Sequence, residues 1–190
     1  MKIKIKNIAT VQMGYSFRTR FEVSSTGIPV IQMKDLNSDN TVNCHNLAKA
    51  NIGNSDDRNF VKKGDLIFRT RGQNISSAVI LDEPGLSIVA APLLIIRVEN
   101  PDIHLPEYLN WYISQRDAQI FLSKANQTNQ RMISRKDIEE MIVAIPSLEK
   151  QKHIIELASL SAQEQKLLAE LAEKRKQFTS KLLMQFVNGE

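Results

Sequence analysis

Ile145-Pro146-Ser147-Leu148-Glu149-Lys150-Gln151-Lys152-His153-Ile154 divides the chain into two unlike parts. On its N-terminal side, Ile142-Val143-Ala144-Ile145 is a short apolar run of strand type, closed by Pro146. Ser147 then suits a helix N-cap, because its hydroxyl can accept from the free amides of the first turn, and Glu149 complements the helix dipole there. The 41 residues from Ser147 to Val187 contain neither Gly nor Pro. At 1.5 Å per residue they predict a helix about 60 Å long, more than a small domain can bury along one side.

Positions 154, 157, 161, 164, 168, 171, 175, 178 and 182 follow the alternating three-four spacing of a coiled-coil seam. Six of them are apolar: Ile154, Leu157, Leu168, Leu171, Phe178 and Leu182; the others are Ser161, Glu164 and Arg175. These six are the expected dimerisation residues. The alternatives are an amphipathic helix folded back on its own domain, or a hairpin broken near Ser159 to Ser161.

Upstream, Gly27 to Val98 alternates short apolar runs with turn residues and reads as strands. Ile28 to Met33, Asp65 to Arg71, Ser77 to Leu81 and Leu93 to Val98 are the candidates. Gly64-Asp65 marks a turn launching the second, Gly72 and Asn74 a tight reversal after it, and Glu83-Pro84-Gly85 the end of the third. Residues 37 to 60, rich in Asn, Asp and Ser, are expected to be irregular connection. From Pro106 a helical period sets in, with Tyr108, Leu109, Tyr112, Ile113, Ile120 and Phe121 on one face as far as about Lys124. Ala125 to Arg131 then reads as an exposed loop, and Ser134 with Asp137 as the capping arrangement of a short helix through Met141.

Composition narrows the function. The chain has 190 residues, 42% hydrophobic and 24% charged, enough to bury a core without disulfides. Cys44 is the lone cysteine, and His45, His104 and His153 are far apart, so no zinc-ligand spacing exists and a reducing interior is expected. No apolar run reaches the roughly 20 residues of a membrane span, and the basic start lacks a following apolar segment, so a soluble, unexported protein is expected. The net charge of +4 is unevenly spread. Residues 1 to 34 carry Lys2, Lys4, Lys6, Arg18, Arg20 and Lys34 against Glu22, and residues 112 to 136 carry Arg116, Lys124, Arg131, Arg135 and Lys136 against Asp117. Whether these form one positive face depends on the fold.

Catalytic patterns are missing from the sequence. No Gly-x-Ser-x-Gly elbow, phosphate-cradling glycine loop or Asn/Asp-Pro-Pro-Tyr/Phe turn occurs, and Cys44-His45 reads as ordinary loop. Asp102 with Glu164 and Lys166 offers only a superficial magnesium-nuclease set, better explained as solvated charges. Three strips instead suit DNA. Arg69-Thr70-Arg71-Gly72-Gln73-Asn74 places two guanidiniums on alternating residues ahead of amides, and Gln127-Thr128-Asn129-Gln130-Arg131 repeats that chemistry. Arginine forks guanine O6 and N7, and Asn or Gln pairs with adenine N6 and N7. Gly14-Tyr15-Ser16-Phe17-Arg18-Thr19-Arg20 interleaves basics with aromatics. Each strip alone is better explained as a polar surface loop, or as a Phe or Tyr tucked into the core; three together with two basic stretches shift the balance toward nucleic acid. Arg69, Arg71, Gln73, Asn74, Gln127, Thr128, Asn129, Gln130 and Arg131 are the expected base or groove contacts, and Arg18, Arg20, Lys34 and Lys124 the phosphate contacts.

The order of motifs resembles a DNA specificity subunit of a type I restriction-modification system. The motifs are Gly14-Tyr15-Ser16-Phe17, Gly27 to Leu36, Val61 to Ile67, Arg71-Gly72, Leu105-Pro106-Glu107-Tyr108-Leu109, Ile133-Ser134 and the Ile145 to Ile154 stretch. The resemblance implies an α+β fold: a target-recognition domain over 1–146, with a mixed, curved β-sheet and flanking helices, then a spacer helix over 147–190 forming an antiparallel coiled coil. Family members resemble two such units in tandem, each reading half of a split site, with the helices setting the gap. This chain has one unit and one helix, so it looks like a half-sized subunit or a fragment, and two copies would restore the missing helix partner. It also departs at Gln127-Thr128, where the family often has a Gly-Ser/Thr step.

The function so implied is non-catalytic recognition of an inverted, interrupted double-stranded DNA site by a homodimer in the bacterial or archaeal cytoplasm. The dimer would position methyltransferase subunits carrying S-adenosylmethionine and, where present, a restriction subunit using ATP and magnesium. No cofactor or metal is expected in this chain. The rival expectations are a metal-dependent nuclease and a coiled-coil adaptor that binds protein.

Overall fold

The computed structural model describes residues 1–17, 23–53, 59–71, 75–125 and 132–189. Among the described residues nine strands and four α-helices follow in order: β1 (Lys2–Lys4), β2 (Ala9–Met13), β3 (Ile28–Ile31), β4 (Ala48–Ala50), β5 (Leu66–Phe68), β6 (Ser77–Val79), β7 (Ile88–Val89), β8 (Leu94–Val98), α1 (Pro106–Ile113), α2 (Arg116–Ala125), α3 (Arg135–Glu139), β9 (Ile142–Ala144) and α4 (Leu148–Asn188). Two compact units divide it, Met1–Lys152 and His153–Glu190. The α+β class expected from the sequence is borne out.

The strands of the first unit form three sheets. A four-stranded antiparallel sheet has the order β2-β8-β5-β6, a three-stranded mixed sheet the order β4-β3-β7, and β1 pairs with β9. Leu66, Ile67 and Phe68 of β5 are all buried, as befits a strand flanked on both edges by β8 and β6. β3 is antiparallel to β4 but parallel to β7, with Val30 opposite Ile88 and Ile31 opposite Val89. The core joins Ile31, Val42, Ile67, Ile80, Val89 and Ile95 across the two larger sheets. Each such side chain contributes about 1.5–3 kcal/mol on leaving water.

Several local expectations hold. Gly64 takes φ +86° at the turn before β5, and Ser134 and Asp137 form a reciprocal capping box at α3. The reversal expected at Gly72 and Asn74 lies outside the described residues, between two strands that are antiparallel. Other expectations need correction. Residues 37 to 60 are not wholly irregular, since β4 lies among them and pairs with β3.

The single helix expected from Pro106 to Lys124 is two helices. At Ser114 and Gln115 the side chains take over the carbonyls that would continue the helix. Ser114 Oγ donates to Trp111 O at 2.6 Å and Gln115 Nε2 to the same oxygen at 2.9 Å. The helical phase restarts at Arg116, so Ala118 and Leu122 are buried while Ile120 and Phe121, expected on the buried face, are 42% and 37% exposed.

The root of α4 is fixed by one side chain. Gln151 is fully buried; its Oε1 accepts from Leu105 N at 2.9 Å, and its Nε2 donates to Ile103 O at 3.0 Å and Pro146 O at 3.1 Å. A buried amide is tolerated only when bonded in this way. The Ser147 hydroxyl accepts from Lys150 N at a long 3.5 Å, so Gln151 outweighs the cap in anchoring this turn. From Leu148 the helix runs 41 residues without interruption, which excludes the hairpin broken near Ser159.

Candidate nucleic-acid interface

The described residues of the first two strips meet at one short segment, Ala90 to Pro92. Gly14 brings the first strip against it: Tyr15 N donates to Val89 O at 2.7 Å, and Ala91 N donates to Tyr15 O at 2.9 Å. A Cβ at Gly14 would lie 2.7 Å from Val89 O, so only glycine permits this approach. Tyr15 and Phe17 then pack edge to face at 5.0 Å.

The second strip reaches the segment through Thr70, which is fully buried and donates from Oγ1 to Pro92 O at 2.7 Å. The third strip lies outside the described residues; just after it, Ile133 N donates to Thr70 O at 3.0 Å. The returning limb of the second strip is held equally firmly. Gln119 Nε2 of α2 donates to Ile75 O at 3.1 Å, and Ser77 Oγ to buried Asn110 of α1 at 2.7 Å. The described residues that flank the second and third strips, Thr70, Ile75 and Ile133, are thus each fixed by a hydrogen bond within the first unit. An open cleft of 460 Å³ is lined by Ser16, Phe17, Gln32, Met33 and Ala90 to Leu93.

The structure sorts the expected contact residues. Lys34, Arg71 and Lys124 are exposed. Arg18, Arg20, Gln73, Asn74, Gln127, Thr128, Asn129, Gln130 and Arg131 lie outside the described residues. Arg69 does not share a strand face with Arg71, because β5 ends at Phe68 and Thr70 turns inward. Its guanidinium donates to Leu36 O at 2.8 Å and Met33 O at 3.4 Å, which ties the turn bearing Lys34 to the second strip. Gln32, which the sequence did not single out, lines the cleft with a buried Nε2 lacking a hydrogen-bond partner.

The two basic stretches also meet, but on acids. Lys4 and Lys6 both bind Glu140 at 2.6 Å, and Arg135 binds Glu139 at 2.6 Å. These cations neutralise their own fold and do not add to a positive face. Among the described residues no group of three or more His, Cys, Asp or Glu side chains could hold a metal ion, and no helix is long and apolar enough to cross a membrane.

On α4, Leu157, Leu168, Leu171, Phe178 and Leu182 are exposed and Ile154 is half-buried. Leu160 and Leu167, which the sequence seam left out, are exposed as well. At 3.6 residues per turn the eight fall within an arc of about 140°, wide enough for a helix face made for burial.

A family model of the type I restriction modification DNA specificity domain matches residues 1–173. Solved structures similar to the chain include one from work on the assembly and conformational transition of the type I R-M system (TM-score 0.61, 18% identity, 89% of this chain and 39% of that one). The HsdS subunit from Thermoanaerobacter tengcongensis gives 0.58 and 18%, over 89% of this chain and 38% of that one. The type I restriction-modification S subunit from M. genitalium gives 0.56 and 12%, over 93% and 43%. The chain thus spans about two fifths of the length of these structures. No curated protein matches it in sequence.

Proposed function

The chain belongs to the type I restriction-modification DNA specificity domain family, and on that premise we propose that it is a non-catalytic subunit that reads one half of a split DNA site. Residues 1–146 form the recognition domain and residues 147–190 the spacer helix, through which two copies join as an antiparallel coiled coil in the cytoplasm. The twofold axis makes the target inverted and interrupted. The dimer positions methyltransferase subunits that use S-adenosylmethionine and, where the system has one, a restriction subunit driven by ATP and magnesium.

The observation that supports this reading is that Tyr15 of the first strip and Thr70 of the second both bond to the segment Val89 to Pro92, while Ile133, two residues beyond the third, bonds to Thr70. In it, Arg71, Gln73, Asn74 and Gln127 to Arg131 meet bases, Arg69 braces the turn that presents Lys34, and Lys34, Arg18, Arg20 and Lys124 meet phosphates. The nuclease reading on Asp102 and Glu164 has no observation in its favour. Selection of bound duplexes from a random pool, by the protein with its methyltransferase, tests the proposal. The expected product is one inverted motif with a fixed gap; indifference to every duplex overturns it.

A further inference from the structure

The exposed stripe of α4 carries two charges, and their positions choose how a second copy would pack on it. Glu164 and Arg175 interrupt the apolar seam, both on exposed stretches of the helix. In a parallel pair each seam residue meets its own copy, so Glu164 faces Glu164 and Arg175 faces Arg175, both repulsive. In an antiparallel pair the seam is a palindrome. With the twofold axis between Ala169 and Glu170, Leu168 meets Leu171 of the second copy, Glu164 meets Arg175, Ser161 meets Phe178, and Leu157 meets Leu182.

Sliding the pair by one heptad either way sets both Glu164 and Arg175 against leucines and leaves the charges buried without partners. The centred register alone pairs both charges, and symmetry makes that pairing occur twice. It also keeps contact from Leu157 to Leu182, about 37 Å of helix.

We propose that two copies of this chain associate through α4 in this one antiparallel register, selected by reciprocal Glu164–Arg175 ion pairs flanking a Leu168–Leu171 centre. The proposal rests on the homodimer reading above and adds its geometry. Polar seam residues fix register at a cost in stability, which is the role these two charges play.

Charge exchange on the full chain tests it, with dimer dissociation followed by sedimentation equilibrium. Glu164→Arg and Arg175→Glu each create two like-charge contacts per dimer and are expected to weaken dimerisation about tenfold or more. The double variant Glu164→Arg/Arg175→Glu restores the pairs with reversed polarity and is expected to return within about threefold of the parent. Both substituted positions lie on exposed helix, and far-ultraviolet circular dichroism verifies that the fold is kept. A dimer indifferent to the single changes, or not rescued by the double one, overturns the register while leaving the homodimer intact. A parent chain that stays monomeric at every concentration assigns the stripe to a different partner and overturns both.

Discussion

The backbone amide of Ile133 donates to the carbonyl of Thr70 at 3.0 Å, while the Thr70 hydroxyl donates to Pro92 at 2.7 Å. One buried threonine thus joins the stems of two strips to the segment on which the first strip also rests. Thr70→Val keeps the shape and removes only the hydroxyl, leaving the Pro92 carbonyl without its donor. The expected loss is about 1–3 kcal/mol of stability, measured by denaturant unfolding. Sequence preference is expected to fall further than affinity for random DNA, since Thr70 and Ile133 flank the two proposed reading segments in the chain.

Arg71 and Lys34, both exposed, are proposed for different tasks and separate experimentally. Arg71→Ala is expected to cost roughly 1–3 kcal/mol on the cognate site with little change on random duplexes. Lys34→Ala is expected to weaken binding uniformly and to reduce the salt slope by about 1. Titrations of both variants on cognate and random DNA at several salt concentrations check this; equal losses for Arg71→Ala on the two DNAs remove it from base reading.

What the sequence made legible is what local chemistry decides. The Ser134–Asp137 box, the Gly64 turn and the unbroken run after Ser147 all depend on residues within a few positions of one another. Long-range pairing hid the rest. The two residues of β7 become a strand only because β3 lies beside them, and β4 is visible only through its pairing with β3. The break at Ser114 depends on which side chains reach the carbonyls of α1. Alternation in Lys2-Ile3-Lys4-Ile5 could have indicated β1, but nothing in it announces that Glu140 would claim both Lys4 and Lys6. At the proposed interface, residue types marked the strips, whereas the meeting of Tyr15 and Thr70 at Val89 to Pro92 is a property of the fold.

Asp65 and Arg97 show the cost of an internal charge that must stay paired. Asp65 is 2% exposed, and Arg97 binds it bidentately, Nε to Oδ1 at 2.8 Å and Nη2 to Oδ2 at 2.6 Å, while Nη2 also reaches Phe60 O at 2.8 Å. The hydrogen bonds to Asp65 hold the Arg97 guanidinium even more firmly protonated than usual. Asp65→Asn keeps the volume but removes the countercharge. The expected loss is about 3 kcal/mol, the lower end for breaking a buried pair because Arg97 retains some access to water. Chemical denaturation measures it, and a variant within ~1 kcal/mol of the parent removes the pair from the stabilising core.

Glu140 gives the first unit an acid-sensitive clasp between its two ends. Lys4 and then Lys6 donate to its carboxylate, which lowers its pKa from the ordinary 4.5 to about 2. Because the folded-state value is depressed, this contribution is complete above pH 4.5 and is lost as the pH falls toward about 2. The same clasp holds β1 on β9, where Met1 O accepts from Ile145 N at 2.7 Å just ahead of Pro146 and α4. Thermal melts across this range are expected to show a falling melting temperature that Glu140→Gln flattens, with little difference between the proteins at the acid end. High salt should shrink the contrast, since Lys4 and Lys6 are largely exposed. Parallel acid profiles for parent and variant would mean that other carboxylates govern the acid transition.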